Sequence, residues 1–475
     1  MLRRKPVAML LREAAAPGGL KRALRAFDLT LLGIGAIVGA GVFVLTGVAA
    51  KEYAGPAVVL SFCVSGFACA MAALCYAEFA AMIPVAGSAY SYAYATMGEL
   101  VGWIIGWDLV LEYAVGSAAV AVGWSGYLRV ILEGVGIHLP AALSHAPGSA
   151  PGAILDLPAL LIVLAVSAVL YVGISESARF NSLIVGIKLV VIGIVIVVGA
   201  FYVRPSNWSP FAPLGWGGVM KGAAVIFFAY IGFDAVSTAA EEVVDPQRDL
   251  PIGILGSLFA CTLLYVLVAA VVTGMVPARI LDINAPLASA FVIRGLKALS
   301  GIISLGAVAG LTSVLLVLLL GQSRIFYAVS RDGLLPPAFS KIHPRFKTPY
   351  IPTTITAVVV AIAAALLPIQ EIAELTNIGT LFAFVLVCLG IWILRHLEPG
   401  LKRPFRTPLV PLVPILGVIF CFYLMASLPR ITWERFFIWM GIGLIIYFAY
   451  GRHHSRVAAE YRKLDPEAAA ARPAR

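Results

Sequence analysis

The chain has 475 residues, of which 61% are hydrophobic and only 12% carry a charged side chain. Soluble domains carry about 25% charged residues, so this chain has too few charges to cover a water-facing surface. The formal net charge of +10 is concentrated in clusters between long apolar runs, which indicates membrane orientation and argues against nucleic acid as a partner.

Apolar runs of about 18 to 25 residues recur along the chain, the length that crosses a roughly 30 Å hydrocarbon core as a helix. Lipid offers no partners to backbone N–H and C=O groups, so these runs must be helical. We therefore predict an all-α transmembrane protein with twelve spans, at approximately 28–50, 56–83, 99–129, 157–175, 180–203, 217–240, 251–275, 299–328, 351–368, 371–395, 409–428 and 431–450.

Basic residues concentrate in the N-terminal arm, around 331–347 and 395–406, and after residue 452. With twelve spans these clusters share one side of the membrane, so both termini are predicted to be cytoplasmic. The predicted parts are a cytoplasmic N-terminal arm (1–26), spans 1–5 (27–203), spans 6–10 (214–396), spans 11–12 (397–450) and a cytoplasmic tail (451–475).

Spans 1 and 6 differ from plain helices. Span 1 carries four glycines between Gly33 and Gly41, each of which disfavours helix by about 1 kcal/mol relative to alanine. Span 6 places Gly232 and Asp234 at mid-membrane. Such glycines can also serve close helix packing, but interruptions at matching positions of two five-helix units indicate an inverted-repeat transporter with a midplane site.

Four of the ionisable residues inside the predicted spans are candidates for a functional role. Lys188 lies about eight residues, or roughly 12 Å, into span 5, and such residues are functional candidates by default; the alternative is snorkelling toward the cytoplasmic face. Asp108 and Glu112 lie one turn apart in span 3, where they could line a pathway, bind a cation, carry protons or form a structural pair. Asp234 follows the break in span 6 and could cap its second half.

Seven sequence motifs resemble the amino acid–polyamine–organocation superfamily, and in particular its cationic amino acid transporter branch. The resemblance covers nearly the whole chain in order, although animal members of this branch have about fourteen spans. The motifs are GAIVGAGVF at 35–43, CYAEF at 75–79, IPVAGSAYSY at 83–92, GEL at 98–100, GFD at 232–234, EEVVDPQRDLPIGI at 241–254 and SRIFYAVSRDGLLP at 323–336.

The resemblance implies the leucine-transporter fold, with spans 1–5 and 6–10 as inverted repeats and spans 11–12 as additions. It also implies a substrate site at the two breaks, where free N–H groups suit a carboxylate and free carbonyls suit an ammonium. The residues that it assigns to substrate binding are Ile37, Gly39, Ala40 and Gly41 on the carboxylate side and Phe228, Ala229 and Ile231 on the ammonium side. A cationic substrate would also need an acid near its side chain, and Glu112 is the candidate for that role.

The same resemblance suggests how transport is coupled. Some relatives carry a lysine at the position of Lys188, where its ammonium replaces the sodium held between helices 1 and 8 in sodium-coupled members. Burial disfavours the charged form of an amine, so this lysine could release and regain a proton during transport. Gly33, Thr312 and Ser313 complete the predicted proton-coupling site, and Asp108 and Asp234 are assigned to the pathway or gate.

The function predicted from the sequence is proton-coupled uptake of an L-amino acid, small neutral or cationic, across the plasma membrane. An exchanger or exporter on the same fold is the main alternative, and a nutrient sensor or a channel is disfavoured. No nucleotide loop, metal-ligand cluster or nucleophile with a nearby base appears, so an enzyme is disfavoured. The predicted partners are the amino acid, protons and the bilayer, with a small membrane accessory subunit possible, and no cofactor.

Overall fold

The computed structural model describes residues 4–5, 22–85, 88–173 and 178–458. Most of the predicted N-terminal arm and the tail beyond residue 458 lie outside these residues, as does Gly87 of one motif. The described residues are helical apart from loops and two isolated β-bridges. The prediction of an all-helical membrane protein is therefore confirmed.

Twelve apolar helices follow one another in the described part of the chain, and each lies within or overlaps one predicted span. Eight segments are long and apolar enough to cross a membrane, and four apolar helices are shorter. The helices are α1 (Ala26–Ile37), α2 (Val58–Met82), α3 (Glu99–Gly134), α4 (Leu157–Val172), α5 (Ala178–Ala200), α6 (Gly215–Ile226), α7 (Pro246–Met275), α8 (Lys297–Arg331), α9 (Tyr350–Leu366), α10 (Ile369–Leu397), α11 (Leu412–Ala426) and α12 (Arg430–Ile446).

Helix α1 stops inside its span, as its glycines predict. It ends at Ile37, and Val38 takes an extended conformation with φ −73° and ψ 94°. Helical structure resumes at Gly41 with a wide π-helical turn that runs to Leu45. The chain then continues helically to Ala54 before α2 begins. The first span is therefore two half-helices with a break between residues 37 and 41.

Helix α6 stops in the same way. It ends at Ile226 and is followed by a tight 3₁₀ turn, Phe227–Tyr230, and by extended backbone at Ile231. Gly232 has φ +116°, a conformation that glycine adopts readily and L side chains do not. A short helical turn, Ala235–Thr238, completes the span. Both spans that the sequence marks as irregular are thus interrupted near their middle.

Small residues set the packing of the helices around these breaks. A Cβ added at Gly306 of α8 would overlap Val191 of α5, and one added at Gly310 would lie 3.0 Å from the stem of Lys188. Within lipid, helices associate through close packing rather than through the hydrophobic effect, and small residues permit it. The two glycines, one turn apart, therefore let α5 and α8 approach closely enough to enclose the lysine.

A second group of contacts ties α10 and the following loop to α2. The carboxylate of Glu78, which is fully buried, accepts hydrogen bonds from Arg395 at 2.7 and 3.1 Å. It also pairs with Arg403 at 3.3 Å and accepts from the backbone N–H of Thr407 at 2.7 Å. This clamp fixes the loop between α10 and α11 against the end of α2.

We expect Gly306→Ala to destabilise the protein, since the new methyl group overlaps Val191 and overpacking costs about 1–3 kcal/mol. The thermal unfolding midpoint in detergent measures the effect. Gly301→Ala, in the same helix with nothing within 4 Å of the added Cβ, serves as the control and should be neutral or slightly stabilising. Combining Gly306→Ala with Val191→Ala should restore the midpoint; no restoration would contradict this account of the interface.

Candidate substrate and coupling site

The two helix breaks lie against each other with no room for side chains between them. A Cβ added at Gly41 would overlap the backbone of Ala229, and one added at Gly232 would lie 3.0 Å from the carbonyl carbon and oxygen of Ala36. Because these neighbours are backbone atoms, they cannot move aside as a flexible side chain would. The site is therefore built from backbone held against backbone.

A small cavity of about 20 Å³ lies beside this contact, which is room for roughly one water molecule. Seven of the eight residues predicted to bind substrate line it, and the eighth, Ala229, packs against Gly41 instead. The lining residues that sequence reasoning did not single out are small or aliphatic: Ala36, Gly116, Val120, Val314 and Leu318.

Backbone polarity gives one side of the cavity an electropositive character. Gly39, Ala40 and Gly41 line it where the second half of the first span begins. The first N–H groups of a helix have no intrahelical partners and lie at the positive end of its dipole. Such a terminus is a ready site for an anionic group, including a carboxylate.

Two tyrosines missed by sequence reasoning satisfy carbonyls near the first break. The Tyr265 hydroxyl of α7 donates to the Ile37 carbonyl at 2.8 Å, and the Tyr127 hydroxyl of α3 donates to the Phe43 carbonyl at 2.5 Å. Both tyrosines are fully buried. One holds the end of the first half-helix and the other the start of the second, and no local pattern around either residue signals this role.

Asp108 and Glu112 of α3 are buried in the protein interior and form no ion pair in the described residues. Glu112 is the one ionisable side chain among the cavity-lining residues, and its Oε1 atom has no hydrogen-bond partner there. Neither oxygen of Asp108, one turn earlier, has a partner either. A Cβ added at Gly379 of α10 would lie 2.6 Å from Asp108 Oδ1, so that glycine makes room for the carboxylate.

Asp234 braces the second break, although not as expected. Its side chain does not make the N-cap hydrogen bond to the helical turn that follows, so the expectation that it caps the second half of span 6 is wrong. Instead Oδ1 accepts from the Gly232 N–H at 3.2 Å, and Oδ2 accepts from the Tyr113 hydroxyl at 3.4 Å. The carboxylate thus folds back over the turn and links it to α3.

Lys188 reaches the first break from α5. The residue is fully buried, and its Nζ donates to the Gly35 carbonyl at 2.7 Å. Gly35 lies in the last turn of α1, so one hydrogen bond joins the amine to the end of that half-helix. The Lys188 amine is therefore hydrogen-bonded directly to the first half of the broken span.

The other predicted members of the coupling site have different neighbours. The Thr312 hydroxyl accepts from Trp124 Nε1 at 3.0 Å and donates to the Val308 carbonyl at 2.7 Å. Gly33 packs against the side chain of Ser257 in α7, and Ser313 is half-buried on α8. The structure therefore brings Lys188 to the backbone of Gly35 rather than to these hydroxyls.

Half-helices that meet at mid-span, with a small cavity and a buried amine beside it, are the architecture of a secondary transporter. Comparison with known proteins is consistent with that class. The sequence model of the amino acid permease family matches residues 24–448. The chain belongs to this family, within the amino acid–polyamine–organocation superfamily and its cationic amino acid transporter branch, and is a transporter rather than an enzyme.

Similar proteins are named as transporters of different substrates. A branched-chain amino acid permease of Bacillus subtilis is 50% identical over 460 residues, covering 96% of this chain and 99% of the relative. A methylthioribose transporter of the same organism is 49% identical over 455 residues, covering 96% and 98%. Cationic amino acid transporter 4 of Arabidopsis thaliana is 39% identical over 406 residues, covering 84% and 68%.

We expect Gly41→Ala to abolish amino acid binding, because the added methyl overlaps the backbone of Ala229 and would separate the two breaks. The measurement is the shift in the unfolding temperature of the purified protein when each of a panel of amino acids is added. Gly321→Ala, whose added Cβ would lie 3.4 Å from the Tyr113 ring, is the matched control and should bind normally. Wild-type binding by Gly41→Ala would contradict a backbone-to-backbone site.

Proposed function

We propose that this protein is a proton-coupled symporter that takes up an L-amino acid across the plasma membrane by alternating access. The observation that carries the proposal is the hydrogen bond from the buried Lys188 amine to the Gly35 carbonyl, at the edge of the broken helix. It joins a group that can change its charge to the backbone that forms the substrate site.

The proposed topology has twelve crossings with both termini in the cytoplasm. Helices α1–α5 and α6–α10 would form two inverted repeats of the leucine-transporter type, with α11 and α12 added. Two features support this arrangement: the breaks fall in the first helix of each five-helix unit, and the basic clusters fall on one side of such a topology.

The substrate zwitterion would bind between the two breaks. Its carboxylate would accept from backbone N–H groups at Gly39, Ala40 and Gly41, since the helix that starts there provides unpaired donors. Its ammonium would lie toward the backbone carbonyls of Phe228 and Ile231 at the second break. Glu112 would serve as the counter-ion, because its Oε1 atom has no other partner in the described residues.

The cavity wall favours a neutral aliphatic side chain on the substrate. Gly116, Val120, Val314 and Leu318 supply apolar surface, and an apolar wall gains from burying methyl and methylene groups. With a volume of about 20 Å³ the cavity is too small for an amino acid in this conformation, so the half-helices must move apart before substrate binds. The name of the branched-chain amino acid permease among the relatives agrees with this side-chain class.

Proton coupling would follow from the enclosure of Lys188. A charged amine away from water is costly unless it is paired, and the described residues give it one carbonyl partner, Gly35. When α1 shifts to open the site, that partner moves and water reaches the amine, so its proton can be gained or lost. Protonation is then linked to the position of α1, which is the requirement for coupling.

Asp108 and Asp234 would belong to the pathway rather than to the binding site. Asp108 lies four residues before Glu112, or about 6 Å along α3 toward its predicted cytoplasmic end. Its unpartnered oxygens would be hydrated once the pathway opened on that side. Asp234 would hold the turn of the second break during the movement, through its bonds to Gly232 and Tyr113.

We expect Lys188→Ala to lower amino acid accumulation driven by an inward proton gradient by roughly tenfold or more, a typical size for lost coupling between sites. The assay is uptake of labelled amino acids into sodium-free proteoliposomes. Exchange of labelled for unlabelled substrate should persist, because the backbone site remains. The control is Lys221→Ala, which alters an exposed lysine of α6.

Full gradient-driven accumulation by the Lys188→Ala variant would contradict the proposed coupling mechanism. A wild-type protein that takes up label only after preloading with unlabelled amino acid would instead be an exchanger. In that case Lys188 would serve as a structural substitute for a bound cation. The two results are distinguished because one is seen in the variant and the other in the wild type.

We expect Gly116→Val to select against large substrates. Added atoms at this position would point toward Leu318, Thr376 and Phe228, whose side chains lie 3.7–3.9 Å from an added Cβ. The affinity for leucine and isoleucine should fall by about 10-fold or more, the effect of one or two misfitted methylenes, while the affinity for alanine changes less. Competition of unlabelled amino acids against labelled uptake measures both, and an equal loss for all would contradict the assignment of this wall.

A further inference from the structure

A groove of about 710 Å³ lies where α7 begins, between its first turns and the loop that joins α10 to α11. Its volume is within the roughly 300–1,000 Å³ range of small-ligand sites. It shares no lining residue with the substrate cavity. The groove is therefore a site separate from the substrate cavity.

The groove changes from charged to apolar along α7. Asp245 precedes the first turn, Arg248 lies within it, and both are exposed. Ile252 and Leu255 line the groove further along, and Leu255 is about 15 Å from Asp245 at 1.5 Å per residue. Ile252 is 44% exposed. This order, from charge at the membrane surface to apolar surface within it, is the order of groups in a phospholipid.

The two charged side chains at the mouth have opposite signs and are both available. In the described part of the chain, neither Asp245 nor Arg248 has an ion-pair partner within 4.0 Å. Arginine recognises phosphate through its planar set of donors, and the N-terminus of α7 adds a partial positive charge. A carboxylate three residues earlier can accept hydrogen bonds from a primary ammonium.

The opposite wall of the groove is held in place by buried charge. Phe405 lines the groove and lies between Arg403 and Thr407, which both bind the buried carboxylate of Glu78. The Thr407 hydroxyl also donates to the Leu74 carbonyl at 3.0 Å. The loop is thus anchored on either side of Phe405, and the groove is a defined site rather than a gap beside a loose segment.

We propose that this groove binds a phospholipid with a primary-amine headgroup, phosphatidylethanolamine, from the cytoplasmic leaflet of the proposed topology. Arg248 binds the phosphate, Asp245 binds the ammonium, and one acyl chain lies along Ile252 and Leu255. The proposal does not depend on the transported substrate or on proton coupling. Because Gly253 of α7 packs directly on Leu29 of α1, the bound lipid also supports the helix that carries the first break.

The test is lipid binding by the purified, delipidated protein, measured with short-chain phosphatidylethanolamine, phosphatidylcholine and phosphatidylglycerol. We expect phosphatidylethanolamine to bind at least several-fold more tightly than the other two and to raise the unfolding temperature. Asp245→Asn should remove the preference over phosphatidylcholine, whose methylated ammonium has no N–H donors. Arg248→Ala should weaken all three lipids by about tenfold, the loss expected of one charged phosphate contact.

Lys341→Ala, which alters an exposed lysine of the loop between α8 and α9, is the control and should leave every affinity unchanged. Each variant should unfold at the wild-type temperature in lipid-free detergent, which separates lost binding from lost folding. Equal affinity for the three lipids, unaffected by either substitution, would overturn the proposal. A preference for phosphatidylglycerol that Arg248→Ala removes would overturn it too, since it would indicate an anion site without the ammonium contact.

Discussion

The contact between the two helix breaks is the constraint on which the rest of the site depends. Gly41 packs against the backbone of Ala229, and Gly232 packs against the carbonyl of Ala36. Neither glycine position has room for a side chain. Breaking a helix within a membrane exposes N–H and C=O groups that lipid cannot satisfy. The protein tolerates the two breaks because each covers the other and because Tyr265 and Tyr127 bond to carbonyls on either side of the first break.

The sequence predicts much of this arrangement because its strongest signals are local. Apolar runs locate the helices, and the glycines of span 1 and the Gly232–Asp234 segment locate the breaks. The resemblance to known transporters then selects the residues around them, seven of which line one cavity. Outside the two broken spans, the bounds differ most where a helix continues beyond its predicted apolar run: α7 begins at Pro246 and α3 extends to Gly134.

Contacts between distant helices are what the sequence does not reveal. Tyr265 and Ile37 are separated by 228 positions, and nothing around either marks them as partners. The resemblance places Thr312 near the Lys188 amine, yet the Thr312 hydroxyl bonds to Trp124. The direction of a side chain around a helix depends on which neighbour packs there. For Lys188 that neighbour is Gly310, whose missing side chain leaves the space that the lysine stem occupies.

The way α6 is anchored bears on which half of the broken span can move. Ser61 and Ser65, one turn apart on α2, donate to the carbonyls of Val219 and Ala223 at 2.7 Å each. From the other side, the Asn377 amide of α10 donates to the carbonyls of Ala224 and Val225. The half before the break is thus hydrogen-bonded to two neighbouring helices, which hold it in place. The short segment after Gly232 has no comparable pair of anchors among these bonds, so we expect the two halves of the span to differ in stiffness.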